Sequence, residues 1–215
     1  MQQNLEAFLD EKRRFPPPQG FTNLATVKDG SLFESAGRDR LKFWGEQSKE
    51  LAWIKPWDKV LEWDPPVARW FSGGVLNVSY NCLDRHLNSA SRHKAALIWE
   101  GEDGSSRTWT YQQLFWEVCK LSNSLKALGV QKGDRVAIYM PLIPEAIAAM
   151  QACARIGAVH TVVFGGFSAE ALKERIVDSG AKWLITADGG LRKGSIVPLK
   201  QMADLALKEC PQVER

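Results

Sequence analysis

The sequence predicts an α/β fold organised on a parallel sheet, preceded by an irregular segment rich in proline and tryptophan. Three observations carry this expectation. From Ala95 onward, short β-branched and apolar runs alternate with helix-patterned stretches. The connections between them are short, and each helix-patterned stretch is bracketed by residues that start or stop helices. Strands and helices alternating through short loops imply crossover units on a parallel sheet. Such a sheet is covered on both faces, so its strands are expected to be apolar throughout instead of alternating.

The first region, taken as residues 1–90, differs in character from residues 91–215. Pro16, Pro17, Pro18, Pro56, Pro65 and Pro66 break any long helix or central strand. Trp44, Trp53, Trp57, Trp63 and Trp70 follow one another closely. Each indole has much apolar area to bury and one N–H to satisfy. Prolines and aliphatics surround every one of them, which favours a segment docked on another surface over a carbohydrate- or base-stacking platform. Near the end of this region, Leu83 to Ala90 has the pattern of a short helix, with His86 in a structural place.

The second region supplies the regular elements. Ala95 to Trp99 and Arg107 to Trp109 predict a hairpin around the turn-rich GEDGSS. Thr110 with Gln113 three residues on forms a capping box, Leu114, Val118, Leu121, Leu125 and Leu128 recur at helical spacing, and Gly129 stops the helix. Arg135 to Tyr139 predicts a buried strand. Pro144 suits the first position of the next helix, with Glu145 favourable in its first turn and Gly157 at its end. Val159 to Val163 is the next strand, Ser168 caps a helix ending near Ser179 and Gly180, Trp183 to Thr186 is a further strand, and Pro198 to Lys208 a further helix.

Composition narrows the function classes. Hydrophobic residues make up 45% and charged residues 25%, and the formal net charge is +3 with no basic stripe, so neither disorder nor nucleic-acid binding is expected. Cys82, Cys119, Cys153 and Cys210 form no CxxC pair, and no histidine pair has metal-ligand spacing. Cys119 and Cys153 fall on apolar helix faces and are expected to be buried free thiols, which suits a reducing cytoplasm. The opening residues lack the long apolar run of a secretory signal, and no stretch has the length to cross a bilayer.

In an open parallel sheet, ligands gather at the carboxyl ends of the strands. Two loops are expected there. Phe164-Gly165-Gly166-Phe167 lies between a strand and the Ser168-capped helix; its glycines let backbone pass close to a ligand and its aromatics can stack on a base. Gly-Gly also serves any tight strand-to-helix turn. The loop ADGGLRKGS, residues 187–195, carries Arg192 and Lys193 among three glycines. A guanidinium fork suits a phosphate, although an exposed basic loop contacting only water has the same composition. No GxxxxGK[ST], GxGxxG or GxSxG motif occurs, and no catalytic centre is visible.

Four stretches together resemble the acetyl-CoA synthetases, AMP-forming ligases of the adenylate-forming superfamily. They are WIKPWDKVLEWDPPVARWFSGGVLNVSYNCLDRH, GVQKGDRVAIYMPLIPEA, ACARIGAVHTVVFGGFSAEALKERIVDSGAKWLITADGG and VPLK, in the family's order, over most of the chain from about Leu32 to Lys200. The resemblance implies a layered parallel-sheet large domain, of which 91–215 is the first part, preceded by the family's wrapping segment at 1–90. It implies a ligase using acetate, ATP and CoA with Mg, through an acyl-adenylate. The family's ATP phosphate loop, Mg-binding glutamate and catalytic lysine would lie beyond Arg215, so this stretch is expected to be inactive alone. Its partners would be those small molecules and the remainder of the same polypeptide.

By the same resemblance Phe164, Gly165 and Gly166 would border the CoA adenine and Arg192 would reach a phosphate. Many members carry a second arginine three residues after the first, where this chain has Ser195; Lys193 would have to compensate. Propionyl- and acetoacetyl-CoA synthetases share the N-terminal pattern, and a non-catalytic binding or structural module is the reading of a different class. A sheet edge left open beyond Lys208 is expected to favour self-association of the isolated piece.

Overall fold

The computed structural model describes residues 14–214. The chain falls into two compact units, Met1–Glu50 with Val60–Trp70, and Leu51–Lys59 with Phe71–Arg215. Among the described residues the first unit holds three short helices, α1 (Gln19–Leu24), α2 (Ser31–Arg38) and α3 (Arg40–Gln47), and most of a two-stranded ribbon, β1 (Lys59–Asp64) and β2 (Val67–Ser72). Asp39 starts α3 by accepting from the Lys42 N–H at 2.9 Å. The Pro65–Pro66 peptide in the ribbon turn is cis.

The tryptophans do not all bury as their size leads one to expect. Trp44 meets Trp70 edge-to-face with ring centroids 6.4 Å apart, and Arg40 lies over Trp70. Yet Trp44, Trp63 and Trp70 remain 45%, 61% and 39% exposed. In the second unit Trp53 and Trp57 flank Phe71 at 5.8 and 5.9 Å.

The helix expected over Leu83 to Ala90 is not there. Asn77 caps an earlier one, α4 (Val78–Cys82), by accepting from the Tyr80 N–H at 3.1 Å. Leu83, at φ −123°, leaves the helical region. The chain then winds as two 3-10 turns, Asp84–His86 and Ala90–His93. His86 packs on the Tyr111 ring, centroids 5.3 Å apart. The Asn77 amide group also donates to the carbonyls of Ala154 and Arg155 at 2.9 and 3.2 Å. One side chain thus starts α4 and donates to two carbonyls in the last turn of another helix.

The regular elements follow the sequence signals closely. The strands β3 (Ala95–Glu100) and β4 (Ser106–Thr110) pair antiparallel. The Thr110–Gln113 capping box opens α5 (Tyr111–Leu128), and Gly129 closes it at φ 106°. Then come β5 (Arg135–Met140), α6 (Pro144–Ile156), β6 (Val159–Phe164), α7 (Ala169–Ser179), β7 (Trp183–Thr186), β8 (Gly190–Arg192), β9 (Ser195–Val197) and α8 (Leu199–Leu207). Pro144 stands in the first turn of α6, and the Ser168 hydroxyl accepts from the Ala171 N–H to start α7.

β6, β5 and β7 form a parallel sheet in that order. Central β5 is buried on both faces. Val136 and Ile138 pack with Leu114, Val118 and Leu125 of α5 and Ala149 and Cys153 of α6. Ala137 and Tyr139, pointing the other way, pack with Leu172 and Ile176 of α7 and Leu199 and Ala203 of α8. Helices therefore cover both sides, and the mixed α/β expectation holds.

Full burial extends only to β5. On the outer strand β6, Val159, Val162 and Phe164 are 56%, 50% and 45% exposed. An edge strand has a neighbour on one side only, and among the described residues nothing lies beyond β6 in the sheet. Cys153 is buried and its thiol is pushed up to about 11 by burial, whereas Cys119 is only half-buried. Among the described residues no helix is long and apolar enough to cross a membrane.

Candidate functional site

The second unit has a cavity of about 590 Å³ at the carboxyl ends of its parallel strands. Each strand delivers its following residues to the wall: β5 gives Met140-Pro141-Leu142, β6 gives Phe164-Gly165-Gly166, and β7 leads to Gly189-Gly190. Leu199 at the start of α8 also lines it, and the tip of the β3–β4 hairpin, Gly101 to Asp103, forms the remaining side.

Phe164, Gly165, Gly166 and Arg192, far apart in sequence, come together here. The Arg192 guanidinium carbon stands 4.7 Å from the centroid of the Phe164 ring, a cation–π arrangement. Among the described residues no carboxylate lies within ion-pair distance of Arg192. The cation lies against an aromatic face. Phe164 is held in turn by an edge-to-face contact with Phe167 at 5.6 Å, and Phe167 lies under Arg175 at 4.5 Å. The Tyr139 hydroxyl donates to the Phe167 carbonyl at 2.8 Å, and burial pushes that phenol above its ordinary value.

Two glycines sit at close approaches. A Cβ on Gly165 would stand 3.1 Å from the Met140 carbonyl oxygen, and one on Gly166 would overlap the Arg192 guanidinium and reach 2.8 Å from the Phe164 ring. The backbone of this loop is therefore pressed against both the sheet and the cation.

The segment 187–195 is not an open loop. It forms the small antiparallel hairpin of β8 and β9, with Arg192 paired to Ser195 and a two-residue turn at Lys193 and Gly194, φ 50° and 74°. Two consecutive left-handed residues are what a twist-matched hairpin turn requires. Lys193 sits at that turn, outside the cavity lining, while Arg192 faces the cavity.

Two wall contacts have no counterpart in the sequence reading. The Trp99 indole N–H donates to the Leu142 carbonyl at 2.7 Å, and the Gly194 N–H donates to a Glu102 carboxylate oxygen at 3.2 Å. The acid-rich stretch Glu100 to Asp103 between glycines was the available signal, but nothing local says which side chain reaches across. Among the described residues no group of three or more His, Cys, Asp or Glu is placed to hold a metal ion.

A helix-covered parallel sheet with a cavity at its carboxyl ends, walled by a glycine loop and an unpaired arginine, is an α/β unit with its cavity where open parallel sheets commonly take ligands. The sequence matches the model of the family described as AMP-binding enzyme over residues 83–214, and that described as acetyl-coenzyme A synthetase N-terminus over residues 30–82. The chain belongs to the AMP-binding enzyme family, as an N-terminal portion of the acetyl-CoA synthetase type.

An acetyl-coenzyme A synthetase of Gemmatimonas aurantiaca is 57% identical over 211 residues, covering 98% of this chain and 32% of that protein. One of Rubrobacter xylanophilus is 52% identical over 204 residues, covering 94% and 32%, and one of Chlorobaculum tepidum 45% over 216 residues, covering 99% and 33%. The chain spans about a third of the length of these curated relatives.

Proposed function

We propose that this chain is the N-terminal part of an acetate–CoA ligase and that its cavity is part of the CoA site. In that reading acetate attacks ATP to give acetyl-adenylate and pyrophosphate, and the CoA thiol then displaces AMP. Residues 1–90 are the wrapping segment and 91–215 the opening of the large domain; the two family matches adjoin at residues 82 and 83, which supports a division in this region. The sites for ATP and Mg, and the reacting groups, belong to the remainder of the polypeptide. The location is the cytoplasm, in keeping with four free thiols. In isolation the chain would self-associate through an open edge of its parallel sheet.

The observation that carries the CoA assignment is the unpaired Arg192 stacked over Phe164 at the carboxyl end of the sheet. Phe164, Gly165 and Gly166 border the adenine, Arg192 meets a phosphate, and Lys193 at the neighbouring turn adds a second positive charge where Ser195 supplies none. The test is Arg192→Ala in the full-length polypeptide, read by the KM for CoA and by acetate-dependent ATP–pyrophosphate exchange. A charge-assisted phosphate contact contributes about 1.5–3 kcal/mol, so the KM for CoA should rise roughly ten- to a hundredfold while exchange persists. An unchanged KM for CoA would overturn the assignment.

A further inference from the structure

The hairpin that carries Arg192 is poorly equipped to hold itself in place. Its strands are three residues each, Gly190–Arg192 and Ser195–Val197. Its turn puts Lys193, a residue with a Cβ, at φ 50°. Two-stranded hairpins are marginal by themselves even when longer, and left-handed backbone is unfavourable for residues other than glycine. A cation presented from such a ribbon needs support from outside it.

The β3–β4 tip is built to give that support. Asp103 fixes the tip internally, its Oδ1 accepting from the Ser105 N–H at 3.0 Å and from the Ser105 hydroxyl at 2.6 Å. The Gly101 N–H donates to the Ser105 carbonyl at 2.8 Å. Below the tip, the Trp99 indole N–H anchors the hairpin to the Leu142 carbonyl at the end of β5. Arg107 lies over both the Trp99 and Trp109 rings, at 4.8 and 5.9 Å, and binds Glu145 of α6 through both its terminal nitrogens. The tip is therefore a braced post tied to the central strand and its following helix.

From this post Glu102 reaches across the cavity mouth, its Oε2 accepting from the Gly194 N–H. Gly194 is the second residue of the turn, next to Ser195, whose register partner is Arg192. The carboxylate engages a backbone donor and forms no ion pair with the guanidinium, so it fixes the ribbon without neutralising the cation it carries.

We propose that Glu102 is a positioning residue for the anion-binding role of Arg192: it latches the β8–β9 turn to the β3–β4 post and holds the guanidinium over Phe164. The inference rests on the CoA reading of the cavity for its kinetic consequence, but the latch itself is a property of this chain alone.

The experiment compares Glu102→Ala, Glu102→Gln and Arg192→Ala with the parent, all in the full-length polypeptide. Two readouts are taken: steady-state kinetics with CoA varied, and amide hydrogen exchange over residues 190–197 without CoA. Loss of one hydrogen bond to a charged acceptor at an exposed site should raise the KM for CoA about three- to tenfold in Glu102→Ala, with the change in KM and not in kcat. Exchange over 190–197 should quicken in the same variant. Glu102→Gln, which keeps an acceptor oxygen, should recover most of both effects. Parent-like exchange in Glu102→Ala would overturn the latch whatever the kinetics show. Quickened exchange with an unchanged KM for CoA, in a protein where Arg192→Ala does raise it, would overturn the positioning role and leave the CoA reading standing. An unchanged KM in Arg192→Ala would defeat that reading instead, and the exchange result would still decide the latch.

Discussion

Replacing Gly166 by alanine is a way to move Arg192 without removing its charge. The added Cβ would overlap the Arg192 guanidinium and stand 2.8 Å from an edge carbon of the Phe164 ring. The nearest obstacle is the far end of a flexible side chain, and Gly166 has no positive φ. The backbone can therefore keep its path while the guanidinium swings off the ring. The loss to the fold is about the 0.5–1 kcal/mol of an exposed cation–π contact, a melting shift of roughly 1–4 °C for a chain of this size. The loss to the ligand is larger, because a displaced fork forfeits a phosphate contact of about 1.5–3 kcal/mol. In the full-length polypeptide the KM for CoA should rise roughly ten- to a hundredfold, and Gly166→Ala added to Arg192→Ala should add little, since both act through one group. Full additivity of the two substitutions, or a parent-like KM in Gly166→Ala, would refute the reasoning. Gly165→Ala is the instructive contrast: its Cβ would press on the Met140 carbonyl oxygen at 3.1 Å, so stability should fall more than in Gly166→Ala.

Asp84→Ala should destabilise the second unit by about 2–3 kcal/mol, between the values for exposed and for buried pairs. The carboxylate accepts both terminal nitrogens of Arg155, the two side chains are only 20% and 22% exposed, and the guanidinium also lies 4.9 Å over Phe115. A thermal melt should shift down by about 4–12 °C, and a shift below about 1 °C would contradict this. The Arg107 guanidinium holds the Glu145 carboxyl below its ordinary range. That pair therefore stabilises the fold above the ordinary carboxyl value and loses its contribution as pH falls through the depressed folded value. Glu145→Gln should be less stable than the parent near neutrality, by no more than about 1 kcal/mol since the pair is partly exposed, and the two proteins should converge in acid; a gap independent of pH would contradict it.

The elements most legible in the sequence were those whose ends are set by chemistry within four residues. Thr110 with Gln113, Pro144, Gly157, Ser168 and Gly180 each mark a boundary within a residue or so of where the helix begins or stops. The meeting of Phe164, Gly165 and Gly166 with Arg192 could be anticipated because parallel strands deliver their following loops to one end of the sheet. The β8–β9 hairpin could not. Three-residue strands are too short to show alternation, and Lys193-Gly194 lacks the usual Asn-Gly or Asp-Gly signature. Glu102 escaped notice because its partner is 92 residues away. Leu83 to Ala90 misled because its helical pattern carries no cap, whereas Asn77, six residues earlier than Leu83, sets where the helix begins.

The side chain of Asn77 bears on how such chains are inherited. The two family matches meet between residues 82 and 83, which invites treating them as exchangeable cassettes. Yet Asn77, on one side of that seam, holds the closing carbonyls of a helix on the other, at Ala154 and Arg155. Recombination between relatives at residue 82 would pass on one half of this clasp from each parent. Hybrids whose donors differ at position 77, or in the path of the chain around Ala154, would lose these two hydrogen bonds at the end of α6. A seam placed outside the stretch from Asn77 to Arg155 keeps both halves of this clasp from one parent.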